Sequence, residues 1–219
     1  MIFIVVPAYN ERGTIAATIS NLFKHGYQNV VVVDDGSRDD TADVAHKEGA
    51  VVLKHLINRG QGAALQTGND YALLHGADYV VHFDGDNQFN AADIAPALNS
   101  LQQKNWDILL GSRFLDDRTK MPFTKRYLIF PIGRAIDTFL TGVKLSDVHN
   151  GFRILSKKAL EKIKITQDRM AHNSEIVAQI KKYNLSYGEF PVEVKYMRYG
   201  QGVGGGFRII KDWFWSYFV

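Results

Sequence analysis

The 219-residue chain contains no cysteine. It can form no disulfide and no thiolate metal site, which is the usage of a reducing compartment. No apolar run reaches the ~18 residues needed to cross a bilayer, and Met1–Val6 runs into Pro7 without the basic leader of a signal peptide. Neither sign of charge dominates: 26 Lys and Arg against 23 Asp and Glu leave a net +3. That field is too mild to mark a nucleic-acid binder. What is present is ordinary for a globular protein, with 46% hydrophobic and 22% charged residues. A chain of this length buries about 70% of its unfolded surface, enough for one core without staples.

The first half alternates between two periods. Ile2–Val6, Asn29–Asp34, Val51–Lys54, Asp78–Asp84 and Trp106–Gly111 read as buried strands. Helices are expected over Glu11–His25 with Asn10 as cap, from Asp40 and Thr41 onward, over Gly62–His75 and over Ala91–Gln103. Strands alternating with helices of this length predict an α/β fold, a mostly parallel sheet with helices on both faces. Beyond Arg113 the rhythm breaks. Residues 114–126 read as a loop, Tyr127–Leu140 as a helix, Gly151–Leu155 as a strand and Asn173–Tyr183 as a helix. Ser186–Tyr196 alternates like an edge strand, a place that tolerates Pro191. No linker divides independent cores. A single domain over 1–206 is therefore expected, followed by a segment 207–219.

In parallel sheets ligands sit beyond the carboxyl ends of the strands, and polar clusters stand at four of those ends. They are Pro7-Ala-Tyr-Asn-Glu11, Asp34-Asp-Gly-Ser-Arg-Asp-Asp40, Asp84-Gly-Asp-Asn-Gln88 and Gly111-Ser-Arg113. Asp34-Asp-Gly-Ser also suits a plain turn that caps the next helix. Asp84, Asp86 and Gln88 form a hard-oxygen cluster suited to Mg²⁺ or Mn²⁺, which leave positions open for substrate phosphates. Arg113 can be a solvated surface residue or a bidentate phosphate ligand. Asn58-Arg-Gly-Gln-Gly62 precedes a helix N-terminus, so Arg59 and Gly60 suit an anion. It is no dinucleotide fingerprint, because Leu65 stands where the third glycine belongs. That counts against a nucleotide-dependent oxidoreductase, and the acid cluster counts against a non-catalytic scaffold.

Together with Asp147-Val-His-Asn-Gly-Phe-Arg153, these segments follow one another in an order that resembles glycosyltransferase family 2. The resemblance is to its polyprenyl-phosphate branch, similar to dolichyl-phosphate mannose and glucose synthases, and spans residue 2 to about 200. It implies a GT-A fold, a nucleoside-diphosphate sugar donor, a divalent metal and inversion at the anomeric carbon. By the same resemblance Pro7, Tyr9 and Glu11 line the base and ribose pocket, and Val33 and Asp35 read the base. Asp84, Gly85 and Asp86 form the D-x-D element, with Gln88 as an added metal ligand. Arg113 holds the diphosphate, with Arg126 assisting, and Asp147 opens the acceptor segment. Arg198 matches a phosphate-closing arginine, but the Ser-Lys that follows it in dolichyl-type enzymes is absent. The acceptor is a polyprenyl phosphate or a glycan hydroxyl; the sugar, the base and the oligomeric state stay open at this point.

Past five glycines in 200–206, Phe207, Ile210, Phe214, Tyr217 and Phe218 recur at helical spacing. This predicts an amphipathic helix rich in Trp and Tyr, suited to a membrane interface or to packing. A peripheral protein on the cytoplasmic face of the membrane is the expectation.

Overall fold

Valine-rich β1 (Ile2–Ala8) and β2 (Val30–Asp34) form the middle of a seven-stranded sheet. β-Branched residues suit strands buried on both faces, and all five residues of β2 are buried. The computed structural model describes residues 1–120, 138, 141–169 and 171–195. After β1 and α1 (Ile15–Lys24) come β2, α2 (Thr41–Lys47), β3 (Val51–Lys54), α3 (Gln61–Leu74) and β4 (Tyr79–His82). A 3₁₀ turn at Ala91–Asp93 leads into α4 (Ile94–Gln103) and β5 (Ile108–Ser112). β6 (Arg153–Ser156), α5 (Lys157–Lys162), α6 (His172–Lys182) and β7 (Tyr187–Pro191) complete the described elements.

The strand order is β3-β2-β1-β4-β6-β5-β7. All neighbours are parallel except β6, which runs antiparallel to both β4 and β5. The expected mostly parallel sheet is found. The reversed strand was not expected, because hydrophobic alternation carries no sign of direction. Reversal puts the N-terminal end of β6 beside the C-terminal ends of β4 and β5, and so brings residues 147–153 to the ligand edge.

Alternate strand residues feed two cores. Val5, Val31 and Val33 pack with α3, α5 and α6 through Leu65, Leu160, Ile176 and Ile180. Ile4, Val6 and Val32 pack with α1 and α4 through Ile15, Ile19, Leu22, Ile94 and Leu101. α3 lies close on β1 at Gly68, where a Cβ would stand 2.3 Å from a Val5 methyl.

Several boundaries differ from expectation. α1 starts at Ile15 with Thr14 at its cap position, not at Glu11 with Asn10 as cap. Asn10 is in the left-handed region (φ 56°), and its side chain accepts the Arg38 N–H. It joins two loops instead of starting a helix. Strand β4 stops at His82, before the acids, and α5 was not foreseen. β7 is the expected edge strand and ends at Pro191. Val194 then bridges Phe89, and the Lys195 N–H reaches the Gln88 carbonyl, so this segment straps the loop after β4. Arg126, Arg198, the 200–206 glycines, the 207–219 helix and, save Thr138, the Tyr127–Leu140 helix lie outside the described residues.

Candidate active site

β1 has β2 on one side and β4 on the other, so chain crossovers leave it in opposite directions. Ligands bind at such a switch point, beyond the carboxyl ends of the strands. A cavity of about 350 Å³ opens there. Pro7, Ala8, Tyr9 and Glu11 line it from β1 and its loop, and Asp35 from the end of β2. Asn58, Gly60 and Gln61 contribute from the start of α3, and Asp84, Gly85 and Asp86 from the loop after β4. Sequence segments far apart in the chain thus meet in one crevice.

On the β2 side of β1, Asp35 is almost wholly buried yet touches the cavity. Its carboxylate accepts the backbone N–H groups of Arg59 (2.9 Å) and Gly60 (2.6 Å) and meets His55 Nδ1 at 2.7 Å. The Val33 side chain, by contrast, is fully buried in the core and does not line the crevice. Arg59 serves through its backbone, while its guanidinium reaches outward to Asp168 at 3.3 Å.

On the β4 side Asp84 accepts from Gln61 Nε2 at 2.9 Å. Its carboxyl also rests on Gly151, where any Cβ would stand 2.4 Å from Oδ2. Burial, then the charge of Asp86, pushes the Asp84 carboxyl up to about 7. Asp86 is also raised, chiefly by burial and with Glu11 adding to it. Two crowded, desolvated carboxylates facing a cavity are stabilised by a divalent cation, and hard oxygens suit Mg²⁺ or Mn²⁺. The residues present therefore fit such an ion, which Asp84 and Asp86 would hold. Among the described residues no three His, Cys, Asp or Glu side chains form a preformed metal set. Gln88 does not line the cavity and meets Asp86 through its backbone N–H at 3.0 Å.

Arg113 and Asp147 face one another. Nε and Nη2 of Arg113 donate to the two carboxylate oxygens at 2.7 and 2.6 Å, and its backbone N–H adds a third bond at 3.0 Å. The side chains are 12% and 1% exposed, so this is a buried ion pair beside the crevice and not part of its lining. The sequence assigned one to the diphosphate and the other to the acceptor; a carboxylate this buried instead takes the nearest cation as its partner.

His55, Gln61, Gly151 and Arg153 were not singled out from the sequence for the parts they play here. Arg153 is wholly buried and donates from Nη2 to Asn173, while its Nε and Nη1 find no partner among the described residues. Burial lowers its pKa to about 10, and the charges of Asp84 and Asp147 oppose that fall. His82, its cross-strand neighbour, and His172 are held neutral by burial and by Arg153. His172 and Asn173 are both buried in the first turn of α6. The signal was the run Gly151-Phe-Arg153, where an arginine follows the apolar strand rhythm inward.

An open α/β sheet whose switch-point crevice ends in paired acids is the layout of the GT-A glycosyltransferases. Residues 3–164 match the model of glycosyl transferase family 2, and the chain belongs to that family. It is 32% identical over 235 residues to UDP-N-acetylglucosamine–dolichyl-phosphate N-acetylglucosaminyltransferase of Methanococcus voltae, covering 95% of this chain and 93% of that protein. Polyprenol monophosphomannose synthase of Mycolicibacterium smegmatis is 27% identical over 171 residues, 74% of this chain and 64% of that one. The fold matches glucosyl-3-phosphoglycerate synthase from Mycobacterium tuberculosis, solved with Mn²⁺ and UDP-glucose. That match has a TM-score of 0.66 at 19% identity and covers 94% of this chain and 74% of that one.

Proposed function

We propose that this glycosyltransferase moves a sugar, with inversion, from a nucleoside-diphosphate donor to a polyprenyl phosphate. The observation that carries the reading is that one crevice is lined both by Asp35, on the β2 side of β1, and by Asp84 and Asp86, on the β4 side. The base lies at Asp35, with Pro7, Tyr9 and Glu11 beside it, and the diphosphate lies toward Asp84 and Asp86. The names of the two relatives supply the donor and acceptor classes.

The acceptor oxygen attacks the anomeric carbon from the face opposite the diphosphate. The bond between the anomeric carbon and the diphosphate oxygen breaks, and its electron pair leaves with the diphosphate. A Mg²⁺ or Mn²⁺ in the site would supply positive charge for the leaving diphosphate. Asp84 and Asp86 would hold that ion, and Gln61 and Gly151 fix the direction of the Asp84 carboxylate. A hydroxyl acceptor needs a base, and Asp147, the acid of the acceptor segment, is committed to Arg113. A phosphate, with a second pKa near ~6, is already anionic and needs none. This favours the lipid phosphate over a glycan hydroxyl.

Among the described residues no helix is long and apolar enough to cross a membrane. Peripheral attachment on the cytoplasmic face, through the aromatic segment 207–219, fits a donor dissolved in water and an acceptor held in lipid. The test is a panel of labelled nucleotide sugars offered with polyprenyl phosphate or with oligosaccharide, in Mn²⁺ or in excess chelator. The expected product is organic-extractable and disappears with chelator. Transfer only to the oligosaccharide, or full turnover in chelator, overturns the reading.

A further inference from the structure

A carboxylate that selects a nucleobase must present one acceptor direction and hold it. Asp35 has four lone-pair positions on two oxygens. Oδ1 takes the His55 contact at 2.7 Å and the Arg59 N–H at 2.9 Å, which fills both of its positions. Oδ2 takes the Gly60 N–H at 2.6 Å, so among the described residues a single acceptor position remains for the cavity. The two backbone donors come from one loop. The third partner is a side chain with its own support.

His55 is anchored at both ring nitrogens. Nδ1 must carry hydrogen, because the carboxylate it meets can only accept. Nε2 lies 2.9 Å from Thr67 Oγ1, in the second turn of α3. That hydroxyl also lies 3.0 Å from the Ala63 carbonyl. The His55 backbone N–H donates to the Asp34 carbonyl at 2.9 Å. The ring plane is thus set by a helix and by a strand end together, and its side chain is only 10% exposed.

We propose that His55, braced by Thr67, is a positioning residue that fixes the one lone pair Asp35 offers to the donor's base. The inference rests on the reading that Asp35 meets the base. A fixed acceptor suits uracil or guanine, which carry a ring N–H on the pairing edge. It opposes cytosine and adenine, whose ring nitrogen there is an acceptor. Without His55 the carboxylate regains a free position on Oδ1 and can turn about its terminal torsion, which is intrinsically broad. It then reaches the exocyclic amine of the wrong base, and selectivity falls before affinity does.

Calorimetric titration of UDP, CDP, GDP and ADP in Mn²⁺ tests this with full-length protein. The wild type is expected to prefer UDP over CDP, or GDP over ADP, and His55→Phe to shrink that ratio at least about tenfold, the lower end for a hydrogen bond to a charged group. His55→Asn places an N–H where Nδ1 was and retains most of the ratio, while His55→Gln, reaching toward Thr67 instead, does not. The Asn and Gln pair decides the matter even where the Phe variant does not fold. An unchanged ratio in folded His55→Phe, or equal ratios in the Asn and Gln variants, overturns the inference and leaves the base at Asp35. A wild type with no base preference overturns the assignment of Asp35 itself, and this inference with it.

Discussion

Replacing Gly151 by alanine puts one methyl group against the inner metal-binding carboxylate. The new Cβ would stand 2.4 Å from Asp84 Oδ2, 2.9 Å from Oδ1 and 3.0 Å from Cγ, where ordinary contact begins at 3.4 Å. The carboxylate must therefore retreat by about 1 Å, and Gln61 Nε2, 2.9 Å away, is bonded to the same group. Gly151 needs no left-handed backbone, so the effect is purely steric. A short acid swung off its rotamer costs about 0.5–1.5 kcal/mol of stability. Metal geometry is less forgiving, since sites tolerate roughly ±0.2 Å and a 1 Å misplacement near the chemistry costs about 10²-fold in rate. Gly151→Ala should thus melt within a few degrees of the wild type, while Mn²⁺ affinity and sugar transfer each fall by about two orders of magnitude. Manganese titration followed by electron paramagnetic resonance, beside thermal melting, reads both. Wild-type Mn²⁺ affinity in a well-folded Gly151→Ala protein would refute Asp84 as an ion ligand held against Gly151.

Four other outcomes follow from the same geometry. Asp86→Ala should abolish turnover and leave the melting temperature nearly unchanged, because the lost group faces a cavity; retained turnover in the variant would remove Asp86 from the ion site. The Asp84 carboxyl sits near 7 in the fold against an ordinary value of 3.8, so its contribution to stability is full below about 4 and is lost as pH rises through 7. Metal-free protein should lose at most roughly 4 kcal/mol over that window; denaturant melts across pH should show the slope, and Asp84→Asn should flatten it. Asp147→Ala removes the buried carboxylate that two Arg113 side-chain nitrogens bond and should cost about 3–5 kcal/mol, whereas Asp147→Leu with Arg113→Met should recover most of it in the same melts. Deleting 207–219 should lower vesicle co-sedimentation and lipid-acceptor turnover while sparing nucleotide affinity; equal sedimentation by both folded chains would assign that segment to packing.

The fold was legible where the physics is local. The valine runs of β1 and β2 and the spacing of Ile15, Ile19 and Leu22 predict buried strands and a half-buried helix, and the structure holds both. Strand ends marked the crevice, since ligands collect there in any parallel sheet, and Pro7, Glu11, Asp35, Asp84 and Asp86 do converge. What could not be read was pairing. Nothing in Arg153–Ser156 says that the strand runs backwards between β4 and β5, and only that reversal brings Gly151 onto Asp84. The Arg113–Asp147 ion pair depends on the same placement. His55 was invisible for another reason: its partners, Asp35 and Thr67, are 20 and 12 residues away on other elements. The helix start at Asn10 was misread because a short polar side chain serves a cap and a left-handed turn equally well.

The reversed strand also shapes how the chain is made. On the ribosome β1, β2, β3 and β4 can pair as soon as they emerge, since their partners lie within the first 82 residues. The outer edge of β4 then waits for β6, roughly 70 residues later, and β5 appears in between with no neighbour to join. At 5–20 residues per second that wait lasts about 4–14 s. Throughout it Tyr79–His82 offers a bare row of peptide groups, the kind of edge that recruits foreign strands. Slowing translation between residues 85 and 150 should lengthen this exposure and raise aggregation of the nascent protein, whereas slowing it after Pro191 should not.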